Sequence, residues 1–580
     1  MHSEETDYSL ITFFYPLTNK KIIFLIVFIG IITYFNGLFN NFVGDDFGQI
    51  VYNSAIHSIR NIPILFRIST FDLGNGISGI YYKPLLLFSY TIIYSLFGLN
   101  AFYFHFFQLI LFIANTILLY FLLKKFINLQ LSFILSILFL VHPINQSIAG
   151  YIADFQDTQF FFFGMLALLF SMSEKIRYSS FIVFLLLVLS LLSKETGVVF
   201  VLINIFYICL FKKKQFISTL LLSIIILVCY GIAHFFAVGL QFTASNYAHI
   251  SRLPFQERLI NIPDIILFYL QKLLFPINLS INYDWVIVKA TIINFYIPLV
   301  LDLLIFIFFF IAATLIKKRN ITLFGPFLFF LFWFLVSLGF HIQIIPLDAT
   351  VSTSWFYLPY AGLLGMFGIF LQVFLKKKRS KIIFNYIITI FVLVFLILTI
   401  IRNSNFANNL VLTCHDANIT KDYSLENSCG NSLAVEGQYI QAQKHLELSV
   451  QYAPYYYANW YTLGTVLGIE GTQTHNMMLI KEGENDIRRS IAIYPSIAEY
   501  YDILGYLYLN YNSTKTSITF LTSAVKRFPR DYKLWLYLSM VEAKAGNTNT
   551  AIYAIKTSHV LNSNNPDVIF EYSKLILHRK

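Results

Sequence analysis

Long apolar runs, separated by short polar or basic stretches, dominate the chain from residue 22 to residue 401 and then stop. A helix needs about 20 mainly apolar residues to cross a bilayer core of about 30 Å. Runs of that order fall at 22–39, 101–123, 131–149, 158–173, 178–193, 196–211, 216–240, 292–316, 321–341, 355–375 and 381–401. The pattern therefore predicts a polytopic bundle of about eleven spans. The stretch 178–211 is read as two short spans, because one long helix would bury Lys194 and Glu195 in hydrocarbon. The first run follows Lys20-Lys21 with no small-residue cleavage site, which reads as a retained anchor.

Past residue 401 no run is long enough to span, and Asp, Glu, Asn and Gly return. Here Trp460-x-x-Leu463-Gly464 recurs as Tyr501-x-x-Leu504-Gly505 and Trp535-x-x-Leu538-Ser539. The prolines Pro454, Pro495, Pro529 and Pro566 follow one another at steps of 41, 34 and 37 residues. A bulky residue, a leucine and a small residue at a period near 34 mark the tetratricopeptide repeat, whose small residue lets paired helices approach. The step of 41 predicts an insertion around 470–482. The expected fold is all-α: a transmembrane domain over 1–401, a linker over 402–430 and a tetratricopeptide-repeat α-solenoid over 431–580.

Charge orients the bundle. With the N-terminus in the cytoplasm, seventeen Lys and Arg fall on inner loops, including Lys175, Arg177 and Lys212-Lys213-Lys214, against eight on the longer outer segments up to residue 401. That asymmetry predicts a cytoplasmic N-terminus, and an odd number of crossings then carries the repeats to the periplasm or the ER lumen. Composition agrees: of 580 residues, 57% are hydrophobic and only 12% charged, too few to cover a soluble protein of this size. The net charge of +11 sits in loop clusters and so argues topology, not nucleic acid. Cys209 and Cys229 fall in spans and are expected to pack there. Cys414 and Cys429 flank a polar stretch in the outer compartment, where a disulfide is expected.

Chemistry is expected in the outer loops. Asp45 and Asp46 stand side by side a few residues past the first span. Adjacent carboxylates near an apolar boundary repel each other and lose solvation, which raises at least one pKa and suits a general base; they equally suit a cation ligand set. Asp157 reaches the same face from the turn after His142-Pro143, and Lys194-Glu195 from the turn between the two short spans. Charges at that depth are costly unless they pair or bind something.

In order along the chain, Gly44-Asp45-Asp46, Lys83-Pro84-Leu85, His142-Pro143, Tyr151-Ile152 with Asp157, Ser193-Lys194-Glu195-Thr196-Gly197, the segment Tyr269 to Tyr283 and Trp355-Phe356-Tyr357-Leu358-Pro359 resemble the transmembrane and tetratricopeptide-repeat O-mannosyltransferases and their bacterial relatives, which are polytopic GT-C glycosyltransferases. The resemblance implies a polyprenyl- or dolichyl-phosphate sugar as donor and a protein or glycan hydroxyl as acceptor. It also implies Asp45 as base, with Asp46 and Asp157 orienting the acceptor or, at Asp45 and Asp157, holding a divalent cation. Two departures stand out: Thr353-Ser354 replaces the usual Glu-Arg, and Phe155 replaces an Arg two residues before Asp157. Binding of the donor phosphate then falls to Lys83, His142, Lys194 with Glu195, and Lys272. The repeats are expected to offer a groove for polypeptide, and 251–290 an interfacial platform. A bacterial inner membrane is the favoured location, the ER membrane if the source is eukaryotic. A noncatalytic repeat scaffold and, third, a lipid-linked-glycan transporter are the competing readings.

Overall fold

A computed structural model describes residues 16–71, 81–173, 179–239 and 248–577. Lys175, Arg177 and part of the first outer loop lie outside the described residues. The chain divides into two compact units, Met1–Lys421 and Asp422–Lys580. Residues 409–419, expected as linker, form a helix of the first unit, and Tyr423–Val435 opens the second. Cys414 and Cys429 are both disulfide-bonded.

In the first unit each of the eleven apolar runs is helical where described, but among the described residues only seven helices are long and apolar enough to cross a membrane, or eight if one bent pair counts as a span. The runs 158–173, 178–193 and 196–211 correspond to Phe155–Ser171, Ser179–Ser193 and Val198–Phe211, of 17, 15 and 14 residues. At 1.5 Å per residue they reach about 21–26 Å, short of the full hydrocarbon thickness. A further apolar helix, Pro84–Phe97, interrupts what the pattern presented as one long loop. Its start and stop obey ordinary rules, proline in the first turn and Gly98 at φ +64° past the end. Cys209 and Cys229 are free thiols on exposed faces of their helices, not packing residues.

The bent pair positions the site. Leu129–Val141 is capped by Asn128, whose Oδ1 accepts the Leu131 N–H at 3.0 Å. Pro143 offers no N–H and forces His142 into extended backbone, φ −70° and ψ 125°. The chain turns by 55° into Pro143–Gly150 and delivers residues 151–157 to one end of an aromatic core built on Phe139, Phe161, Tyr357 and Trp333. The expected platform is one 20-residue amphipathic helix, Phe255–Leu274, with Pro263 inside it. Beyond it, Asn282–Tyr283 pairs antiparallel with Val351–Ser352.

The last long helix, Lys378–Ser404, is fastened by a buried ion pair. Arg402 donates to both oxygens of Asp416 at 2.7 and 2.9 Å, and the Ile281 N–H reaches the same carboxylate at 2.8 Å. Burial opposes the Asp416 charge, yet Arg402 and these hydrogen bonds outweigh it and hold the carboxyl below its ordinary value. Arg402→Met, which strands a buried carboxylate, is expected to cost about 3–5 kcal/mol of stability in chemical denaturation. The sign follows from the lowered folded pKa: the contribution is full above the unfolded carboxyl value near 4 and disappears as pH falls through the folded one.

The second unit is a row of antiparallel helix pairs of tetratricopeptide type. Tyr439–Tyr452 carries Gly437, Tyr439, Ala442 and Leu446 at its start and core. The repeat signature has its physical meaning at Gly464, where a Cβ would lie 2.7 Å from the Gly483 carbonyl oxygen. The long step is absorbed as an extra turn on each helix of one pair: Tyr457–Thr474 and Met477–Ile493 have 18 and 17 residues, Ala498–Tyr511 and Thr514–Arg527 have 14 each. Trp460 is half-buried, its indole N–H donating to the Pro454 carbonyl at 2.8 Å, and Trp535 repeats this contact with Pro529 at 2.9 Å.

Candidate active site

Asp45 and Asp46 are adjacent in sequence and opposite in environment. Gly44 takes φ +53°, and its N–H donates to Asn409 Oδ1 at 2.8 Å. The next N–H, of Asp45, donates to the Tyr151 hydroxyl at 2.8 Å. Asp46 is fully buried: Oδ2 accepts the Val43 N–H at 2.9 Å and Oδ1 the Ala153 N–H at 2.8 Å, so it joins the 43–46 turn to the 151–154 turn. Asp45 is left solvent-accessible. The surrounding protein pushes the Asp45 carboxyl up, the nearby charge of Asp348 adds to this, and Lys83 opposes it.

Gly44 is needed twice over. A Cβ there would sit 2.6 Å from the Tyr151 hydroxyl, at a backbone angle L residues rarely adopt. Gly44→Ala is expected to lose about 1–2 kcal/mol to backbone strain and to depress activity further by displacing Tyr151. Adding Tyr151→Phe, which removes the colliding oxygen, should recover part of the stability, read from paired denaturation midpoints.

Two further turns complete the cluster. Asp157, in the first turn of Phe155–Ser171, receives both its hydrogen bonds from Lys194 Nζ, at 2.7 and 2.8 Å. Burial would discharge Lys194, but Asp157 and then Asp154 outweigh it and hold the ammonium above its ordinary value. Asp154, one helical turn before Asp157, is pushed up to about 7, first by burial and then by the charge of Asp157. Glu195 Oε1 accepts the Tyr82 N–H at 2.8 Å and so fixes the strand of chain that carries Lys83. Lys83 is only 5% exposed and lies 4.1 Å from the Tyr81 ring centre. Among the described residues it has no ion pair, and burial lowers its pKa while Glu195 opposes that shift. Tyr81 in turn donates to Asp348 Oδ2 at 2.6 Å.

The structure thus brings together Asp45, Asp46, Lys83, Asp157, Lys194 and Glu195. It gives the other two candidates different work. His142 Nδ1 accepts the Ile144 N–H at 3.1 Å, so Nε2 carries the proton and donates to the Leu273 carbonyl at 2.9 Å; this neutral, buried ring latches the bent pair to the platform helix. Lys272 donates to the carbonyls of Ile277 and Asn278 at 2.9 and 3.1 Å, closing its own loop. Asp154, Asp348 and Tyr81 enter the site without having been singled out, and Tyr151, quoted only as part of a motif, gains a defined contact there. Asp154 had a signal, the i, i+3 spacing to Asp157 on a helix start; Asp348, alone in a polar turn, had none. Phe155 is buried against Tyr90, and Thr353 and Ser354 are buried too, so neither position restores a cation. Among the described residues no three His, Cys, Asp or Glu side chains are grouped to hold a metal ion, and both Asp157 oxygens are taken by Lys194. The residues present do not fit a divalent cation at Asp45 and Asp157.

With this arrangement in view, likeness to known proteins can be weighed. The chain is 26% identical over 273 residues to the protein O-mannosyl-transferase F38B6.6 of Caenorhabditis elegans, across 45% of this chain and 39% of that protein. It is 32% identical over 197 residues to human protein O-mannosyl-transferase TMTC1, across 30% and 22%. With human TMTC3 the identity is 30% over 135 residues, across 23% and 15%. The chain is similar to protein O-mannosyltransferases. It spans two fifths or less of the length of these relatives. No family model matches. Among solved structures, YrrB, a tetratricopeptide-repeat protein with an unusual peptide-binding site, aligns with 28% of this chain and 80% of its own at 14% identity and a TM-score of 0.24.

Proposed function

We propose that the protein is an integral-membrane glycosyltransferase that moves a hexose, mannose by analogy with its relatives, from a polyprenyl-phosphate donor to a protein hydroxyl on the outer face of the membrane. The observation that carries this reading is the pairing of an accessible carboxyl of raised basicity, Asp45, with a buried cation, Lys83, that makes no ion pair among the described residues, in one cluster. Asp45 takes the proton of the acceptor hydroxyl as its oxygen bonds to the anomeric carbon. The bond from that carbon to the phosphate oxygen breaks, the oxygen keeps the electron pair, and configuration inverts. Lys83, assisted by Lys194, offsets the charge that develops on the lipid phosphate. Asp46 and Tyr151 hold the Asp45 backbone, Asp157 aims Lys194, and Glu195 holds the Lys83 segment; these are positioning residues. Most of the rate then comes from alignment of the hydroxyl, the anomeric carbon and the phosphate.

Membranes bearing the full chain, supplied with a lipid extract containing polyprenyl-phosphate sugars and a Ser/Thr-rich polypeptide, should yield hexose on the polypeptide by mass spectrometry. Membranes bearing Asp45→Asn should yield none. Equal product from both would remove Asp45 as the base, and no product from either would leave the repeat scaffold as the better reading. The second unit is assigned to holding the polypeptide acceptor, on the strength of its repeats.

A further inference from the structure

The hairpin that presents Lys194 has a second end. Ser179–Ser193 and Val198–Phe211 run away from Lys194 and terminate about 20 Å from it, given 1.5 Å per residue. There, with Phe216–Val238, they line an open-sided cleft of about 630 Å³. At its mouth stand Lys212, Lys213 and Lys214, and among the described residues no carboxylate pairs with any of them. Lys213 and Lys214 are exposed, and among the described residues Lys212 Nζ reaches only the Ser173 carbonyl, at 3.4 Å.

Depth and lining restrict the occupant. Asn204 and Ser223 lie about 10–13 Å along their helices from the lysines, each 2% exposed and lining the cavity, and among the described residues Asn204 Oδ1 has no hydrogen-bond partner. Val183, Leu187 and Ile226 form apolar wall between. The outward surface of the same helices is apolar, with Ile217 70% and Leu221 57% exposed, as befits a lipid environment. A ligand here needs negative charge at the mouth, hydrogen-bonding groups just below it and an apolar continuation. A soluble anion lacks the last of these and a neutral lipid the first.

We infer that this cavity is a binding site for an anionic diacyl phospholipid, its phosphate among Lys212, Lys213 and Lys214 and one acyl chain against Val183 and Ile226. Three lysines at a membrane surface are enough to select anionic over zwitterionic lipid by about tenfold or more. The cavity adds retention when the surrounding lipid is removed.

The full chain, delipidated in detergent and incubated with equal amounts of dioleoyl phosphatidylglycerol and dioleoyl phosphatidylcholine, is purified and its lipid counted by native mass spectrometry. Phosphatidylglycerol is expected to be retained at about tenfold the phosphatidylcholine level. The triple variant Lys212→Gln, Lys213→Gln, Lys214→Gln should bring the ratio to near one. Ile226→Trp, which keeps every charge and fills the cavity, should reduce the amount bound; Val183→Trp on the facing wall replaces it if that variant does not fold. Glycerol 3-phosphate in excess should not displace the lipid. Retention that ignores head-group charge, survives the triple variant, is untouched by a filled cavity, or yields to glycerol 3-phosphate would each overturn the proposal. None of these readings depends on sugar transfer.

Discussion

Asp45→Asn is expected to lower kcat/KM for transfer by about 100- to 10,000-fold, the usual contribution of a positioned general base. The substitution keeps shape and removes only basicity, and the Asp45 side chain accepts no hydrogen bond that holds the fold. The denaturation midpoint should therefore stay close to wild type, whereas Asp46→Asn, which disturbs a carboxylate holding two backbone N–H groups, should lower it. The wild-type pH profile carries a second signature. Because the surrounding protein and then the charge of Asp348 raise the Asp45 pKa, the acidic limb should fall above the ordinary carboxylate range, with activity lost as pH drops through it. Asp348→Asn takes away a like charge and should move that limb to lower pH. A limb that stays in place in both variants would show that some other group is titrating.

The second large effect is expected at Lys83. Replacing it by Met should reduce kcat by about 100- to 1,000-fold, as removal of a preorganised charge from a developing oxyanion does, and should shift the acidic limb upward, since Lys83 lowers the Asp45 pKa. Lys83 tests the phosphate role more cleanly than Lys194. Removing Lys194 strands the buried Asp157, with a stability loss of about 3–5 kcal/mol that would obscure the chemistry. Lys83 breaks no ion pair among the described residues, so Lys83→Met should fold as wild type does. Measured with increasing donor, a defect that saturating lipid-linked sugar fully restores would make Lys83 a ground-state binder and overturn its role on the leaving phosphate.

Much of the fold was legible in the chain because it rests on local rules. The apolar runs marked the long helices of the first unit, and Gly464 marked a close approach within a helix pair, whereas the run 131–149, read as one span, did not disclose the bend at Pro143. The helix Pro84–Phe97 was missed although its proline and glycine flagged both ends, because it is too short to register as a span. The site was legible where charge stood at the edge of an apolar run, as at Asp45, Lys83, Asp157 and Lys194. At His142 and Lys272, whose positive charge suggested phosphate, the structure shows hydrogen bonds to backbone carbonyls that the pattern did not announce; the one that latches His142, at Leu273, lies 131 residues along the chain.

The order of residues by itself determined which segments are helical and that the repeats form a separate unit, since apolar periodicity and backbone stereochemistry act within a few residues. Only the tertiary structure decided that Asp46 is a brace while its neighbour is free, and that Lys194 is spent on Asp157 while Lys83 is not. Those assignments depend on which distant backbone N–H or carboxylate a side chain meets once the helices have packed, and no local pattern encodes that meeting.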